Sequence, residues 1–149
     1  MNEDFCSYEL SKALKACGFD EPCHYHYDCD RGSHIIEPNY TTNDGEDCQY
    51  ITADDLLEDN NGWQYCSAPT LAHAQKWLRE KYGLHVVGLP CMDSASDTDG
   101  QVCDEWQFWF FDIMQVSTAR FLVNGEGRFD SYEQALTEGI KSCVENLLK

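Results

Sequence analysis

Nowhere in these 149 residues do about 18 apolar residues run together, so the chain holds no candidate membrane-spanning helix. Basic residues are scarce. Ten Lys and Arg stand against 27 Asp and Glu, a formal net charge of -17. No basic stripe with interleaved aromatics exists, so direct nucleic-acid binding is not expected, and anionic membrane surfaces repel such a chain. The Cys-x(2–4)-Cys pairs that build most structural zinc sites are missing. The start, Met1-Asn2-Glu3-Asp4, is acidic and has no hydrophobic run, which predicts no export signal. With an odd count of nine cysteines, that favours reduced thiols and a cytoplasmic location.

Aromatics are plentiful: four Trp, eight Tyr and seven Phe. Disordered acidic chains are poor in these residues, so the charge belongs to a folded protein. The length fits one domain over 1–149, able to bury about 70% of its unfolded surface. The acids are uneven. Residues 1–66 hold 15 of them against three bases. They gather around 28–30, 44–47, 54–59 and 93–105, the middle groups within an irregular acidic insert at about 37–66.

Apolar spacing places the elements. Leu10, Ala13, Leu14 and Cys17 predict a helix over 3–17, with Gly18 at its left-handed end and Phe19 folding back. Cys6, Cys17 and Cys143 read as small hydrophobes on helix faces. A strand is expected near Cys23–Cys29, and a weaker one at His34-Ile35-Ile36. Thr70 caps a helix over 70–82, with Leu71, Ala74, Trp77, Leu78 and Tyr82 along one face. Leu84–Leu89 reads as a strand closed by Pro90, and Asp93–Gly100 as an acidic loop. Glu105–Val116, with aromatics on both faces, is the expected central strand. Ala119–Val123 then leads to a turn at Asn124-Gly125. Ser131 and Gln134 form a capping box for the last helix, whose stripe is Leu136, Ile140, Cys143, Val144 and Leu147. The order is that of an α+β domain, one small antiparallel or mixed sheet packed by about three helices.

Two stretches carry a resemblance. One is Ala68-Pro69-Thr70 leading through Gln75-Lys76-Trp77-Leu78-Arg79-Glu80-Lys81 to Leu84-His85-Val86. The other is Phe129-Asp130-Ser131-Tyr132-Glu133-Gln134-Ala135-Leu136 with Gly139-Ile140 and Leu147-Leu148. Together they resemble a group of uncharacterised small α+β proteins encoded by gut Bacteroidetes and their phages or prophages. The resemblance implies a mobile-element setting. It implies no activity and no functional residues.

Chemistry has few footholds. His24 and His26, two apart on a strand face with Asp28, could chelate a metal. Cys23 and Cys29 fall on the opposite face. Asp97-x-Asp99-Gly100 is laid out like the middle of a calcium loop, but Ala95 and Trp106 occupy its first and last ligand positions. Cys66, just ahead of a helix, is the only thiol near a helix start, and His73 lies one turn into that helix; core or boundary packing is the plainer reading of the pair. Asn124-Gly125-Glu126-Gly127 lacks the Lys and Ser/Thr of a phosphate loop. No cofactor is expected. The reading that remains is a non-enzymatic accessory or interaction protein with an acidic surface of Asp44, Glu46, Asp47, Asp54, Asp55, Glu58, Asp59, Asp97 and Asp99. Its partner would be a basic host or phage protein, reached in one version by nucleic-acid mimicry. The alternative is a small metal-binding protein or enzyme centred on His24 and His26.

Overall fold

A computed structural model describes residues 4–28, 34–36, 65–96 and 102–148. Their contacts group into two compact units, Met1–Ala74 with Leu148–Lys149 and Gln75–Leu147. The α+β class holds, with three α-helices among the described residues. The strands form two three-stranded antiparallel sheets where the element order pointed to one.

In the first unit, helix α1 (Tyr8–Ala16) begins at Ser7, whose hydroxyl accepts from the Leu10 N–H at 3.2 Å. The expected start at residue 3 is too early. Asp4 to Cys6 run extended instead: Phe5 bridges Thr70, and the Cys6 N–H donates to the Pro69 carbonyl at 2.9 Å. Cys6 therefore lies ahead of the helix, buried, and not on its face. The end of α1 is as expected. Gly18 adopts φ 96°, its N–H bonds the Lys15 carbonyl, and the Phe19 N–H bonds that of Leu14. Leu10, Ser11, Leu14 and Phe19 are buried. Strand β1 (His26–Asp28) is the middle of three, flanked by β2 (His34–Ile36) and β3 (Tyr65–Ser67). Residues 37–64 of the expected acidic insert lie outside the described residues.

Helix α2 (Leu71–Tyr82) starts where Thr70 was expected to cap it: the Thr70 hydroxyl accepts from the His73 N–H at 3.1 Å. The division between the units falls within this helix. Leu71, Ala74, Trp77 and Leu78 are buried. Tyr82, expected on the same face, is exposed, its ring set edge-on to Trp77.

The second unit is built on β4 (Leu84–Ser96), β5 (Val102–Gln115) and β6 (Arg120–Phe129), in that spatial order. The central position of β5 is as its two-sided aromatics indicated. Pro90 does not close β4. It lies opposite Trp109, and the strand continues to Ser96, taking Asp93–Ser96 out of the expected loop. Proline is tolerated there because β4 is an edge strand of this sheet. Asn124-Gly125 is likewise no turn. β6 runs through it to Phe129, absorbing surplus residues as bulges against β5. Gly125 and Gly127, at φ 68° and 86°, supply the left-handed backbone that such bulges use.

Helix α3 (Tyr132–Ser142) covers one face of this sheet. Its cap is the expected Ser131, accepting from the Gln134 N–H at 3.1 Å. The Gln134 side chain reaches back one residue beyond the usual box, accepting from the Asp130 N–H at 3.1 Å. Leu136, Ile140, Cys143 and Val144 are buried. A π-helical turn, Cys143–Leu147, then changes the periodicity, and Leu147 emerges 37% exposed instead of completing the stripe. Gly139 lets the helix come close. A Cβ there would run into the Val86 side chain and sit 3.2 Å from the Phe111 ring.

Two results should follow. Ala for Gly in a helix ordinarily stabilises by up to about 1 kcal/mol. Gly139→Ala should instead destabilise by about 1–3 kcal/mol in urea unfolding, because the methyl overpacks the helix–sheet contact. A variant as stable as the parent would remove that contact from the account. Ile140→Asp should cost about 3 kcal/mol or more and Leu147→Asp under about 0.5 kcal/mol, a contrast that thermal melts would show.

Candidate functional site

The first unit gathers most of the chemistry-bearing residues described. Three short extended stretches lie side by side: Phe5-Cys6 along Pro69-Thr70, and Tyr25–Asp28 along Tyr65–Ala68. This arrangement buries three thiols, Cys6, Cys23 and Cys66. Tyr27 clusters with Cys66, and Tyr8 and Tyr25 pack against that cluster. Phe5 meets Tyr25 at 4.8 Å between centroids, and Tyr8 meets Tyr27 at 5.5 Å. The Tyr27 hydroxyl donates to the Cys6 carbonyl at 2.6 Å, satisfying a backbone acceptor inside an apolar setting.

The thiols are weak donors, each set against a backbone carbonyl. The Cys6 thiol donates to the Thr70 carbonyl at 3.9 Å, and that of Cys66 to the Ser67 carbonyl at 3.7 Å. Cys23 lies 3.7 Å from the Glu21 carbonyl and 3.9 Å from Nδ1 of His73. The Phe19 ring sits edge-on to His73 at 5.4 Å. The Cys/His pairing therefore exists, but with a different sulfur from the one spacing selected. Cys66 is buried in β3, and the thiol at His73 is Cys23. Fifty positions separate the two, and only the strand arrangement closes that gap. The nearest sequence signal was the apolar alternation of Cys23, Tyr25 and Tyr27.

Electrostatics decides what these thiols can do. Burial pushes Cys6 up to about 12, with Cys23 and Cys66 nearby adding to the rise. Burial likewise pushes Cys23 to about 12, against the lowering effect of a hydrogen bond from Ser67 and helped by Glu21 and Cys66. Cys143 in the second unit is raised to about 12 by burial alone. A nucleophilic cysteine needs a thiolate near neutral pH, favoured by positive charge or a helix N-terminus. These three hold their protons instead, so the Cys23–His73 pair is a packed thiol against an imidazole and not an activated nucleophile.

The expected histidine pair is split in its surroundings. His24 lies in a bend ahead of β1 and is exposed, while His26 opens the strand and is 4% exposed. The alternation that put both on one face applies only where the strand is regular, and that begins at His26. The Asp28 backbone pairs with His34 and Tyr65. Among the described residues, no group of three or more His, Cys, Asp or Glu is arranged to hold a metal ion. The acidic positions Asp44, Glu46, Asp47, Asp54, Asp55, Glu58, Asp59, Asp97 and Asp99 lie outside the described residues. Strands β4 and β5 flank 97–101, where a calcium loop of the helix–loop–helix kind needs helices.

The second unit has one further cluster, on the sheet face turned from α3. Val87, Leu89, Phe108, Phe110 and Met114 are half-buried there, and Phe121 at the rim is 52% exposed. Within this face Asp112 is 5% exposed. Its Oδ1 accepts from the Gly125 N–H at 2.6 Å and so fixes a bulge of β6. Nδ1 of His85 is buried without a hydrogen-bond partner, and the Arg128 guanidinium lies 4.7 Å from the Phe108 ring centre. No described helix is long and apolar enough to cross a membrane. Comparison with protein families, with curated proteins and with solved structures returns no match to this chain.

The thiol environments make two expectations measurable. In the native protein at pH 8, iodoacetamide should label Cys17 and Cys91 well before Cys6, Cys23, Cys66 or Cys143, as mass spectrometry of timed samples would show. Early labelling of Cys23 would mean that His73 activates it. Because the folded values of Cys6, Cys23 and Cys143 lie above the ordinary 9.0 of a thiol, their contribution to stability is complete below that pH. It is lost as pH rises toward about 12. Urea midpoints should therefore fall on the alkaline side. Cys143→Ala should shallow the fall by about 1.4 kcal/mol per pH unit, one proton's worth.

Proposed function

We propose that this protein is a non-catalytic interaction protein that engages a basic partner protein through its acidic surface. The observation that carries this reading is the run from Glu37 to Gln64, with eight Asp and Glu and no Lys or Arg. An unneutralised block of that kind steers positively charged partners by long-range attraction and repels nucleic acid. The buried, protonated thiols support the absence of cysteine catalysis.

The sharper form of the proposal is nucleic-acid mimicry. Duplex DNA presents one negative charge per roughly 1.7 Å of axis. Acids at 44–47, 54–59 and 97–99 would stand in for phosphates in the cleft of a DNA-binding protein. A phage or prophage origin in a bacterial host belongs to the same proposal and rests on the resemblance alone, while a cytoplasmic location draws on the odd count of nine cysteines. The alternative centred on His24 and His26 draws no support from a three-ligand group among the described residues. Elemental analysis of purified protein separates the two: a stoichiometric metal that disappears in a His24→Ala/His26→Ala double variant would favour the alternative.

The direct test is salt-dependent binding. A basic DNA-binding protein captured from host extract should lose roughly tenfold or more in affinity between 0.05 and 0.5 M NaCl. Replacing Asp44, Glu46, Asp47, Asp54, Asp55, Glu58 and Asp59 with their amides should reproduce that loss at low salt. For the mimic, duplex DNA must displace the protein from its partner. Affinity indifferent to salt and to the amide replacements would end the proposal.

A further inference from the structure

We draw no further inference here: the strongest candidate, the half-buried apolar sheet face of Val87, Leu89, Phe108, Phe110 and Met114 with exposed Phe121 at its rim, carries nothing because nothing in the structure shows what covers it.

Discussion

Helix α3 lies on its sheet because Gly139 has no side chain at the point where Val86 and Phe111 rise from β4 and β5. Much of the second unit follows from that approach. At the start of the helix Tyr132 meets Trp109 edge-on at 5.6 Å, and Gly88 leaves space for the Tyr132 ring. The helix thus tracks the β4–β5 ladder, burying Val86, Phe111 and Ile113 on one side. Alternation then sends Asp112 to the other face. A carboxylate buried there needs a donor, and the bulge of β6 provides the Gly125 N–H. The irregularity of β6 and the packing of α3 meet in the register of one central strand.

The first unit is ordered by a different constraint. Its strands are three residues long, and short ladders bury little by themselves. Apolar contact comes instead from rings and sulfur: Tyr8, Tyr25 and Tyr27 pack with Cys66 and Ala68, and Cys6 and Cys23 are buried as well. Sulfur suits the task because a protonated thiol packs as a small hydrophobe and demands little of its hydrogen-bond partner. The same burial that makes Cys6 and Cys23 good filler holds their protons in place.

Local signals were legible wherever one turn of chain contains both donor and acceptor. Ser131 with Gln134, Thr70 with His73, and Gly18 with Phe19 each close within five residues, and each stands where spacing placed it. Signals that depend on a neighbour were not. Pro90 is an end-of-strand mark in isolation and an ordinary residue on an edge strand. Asn124-Gly125 forms a turn when strands end and a bulge when β5 continues alongside. The stripe of the last helix was readable up to Val144. The π-helical turn that carries Leu147 outward involves no composition change that periodicity could detect. The thiol beside His73 is Cys23 and not Cys66, a pairing across fifty positions that spacing does not reveal.

Residue identities and local spacing determined the acidic charge, the lack of a long apolar run, the Thr70 and Ser131 caps and the Gly18 end of α1. These depend on residue identities or on contacts within a few positions, so the chain carries them whatever its fold. The tertiary structure decided that the strands divide into two sheets, that Cys23 and not Cys66 meets His73, and that His26 is buried while His24 is exposed. Each is a matter of which distant segments share a ladder. The free energy of that choice is spread over many weak contacts, and a reading along the chain meets only one side of each.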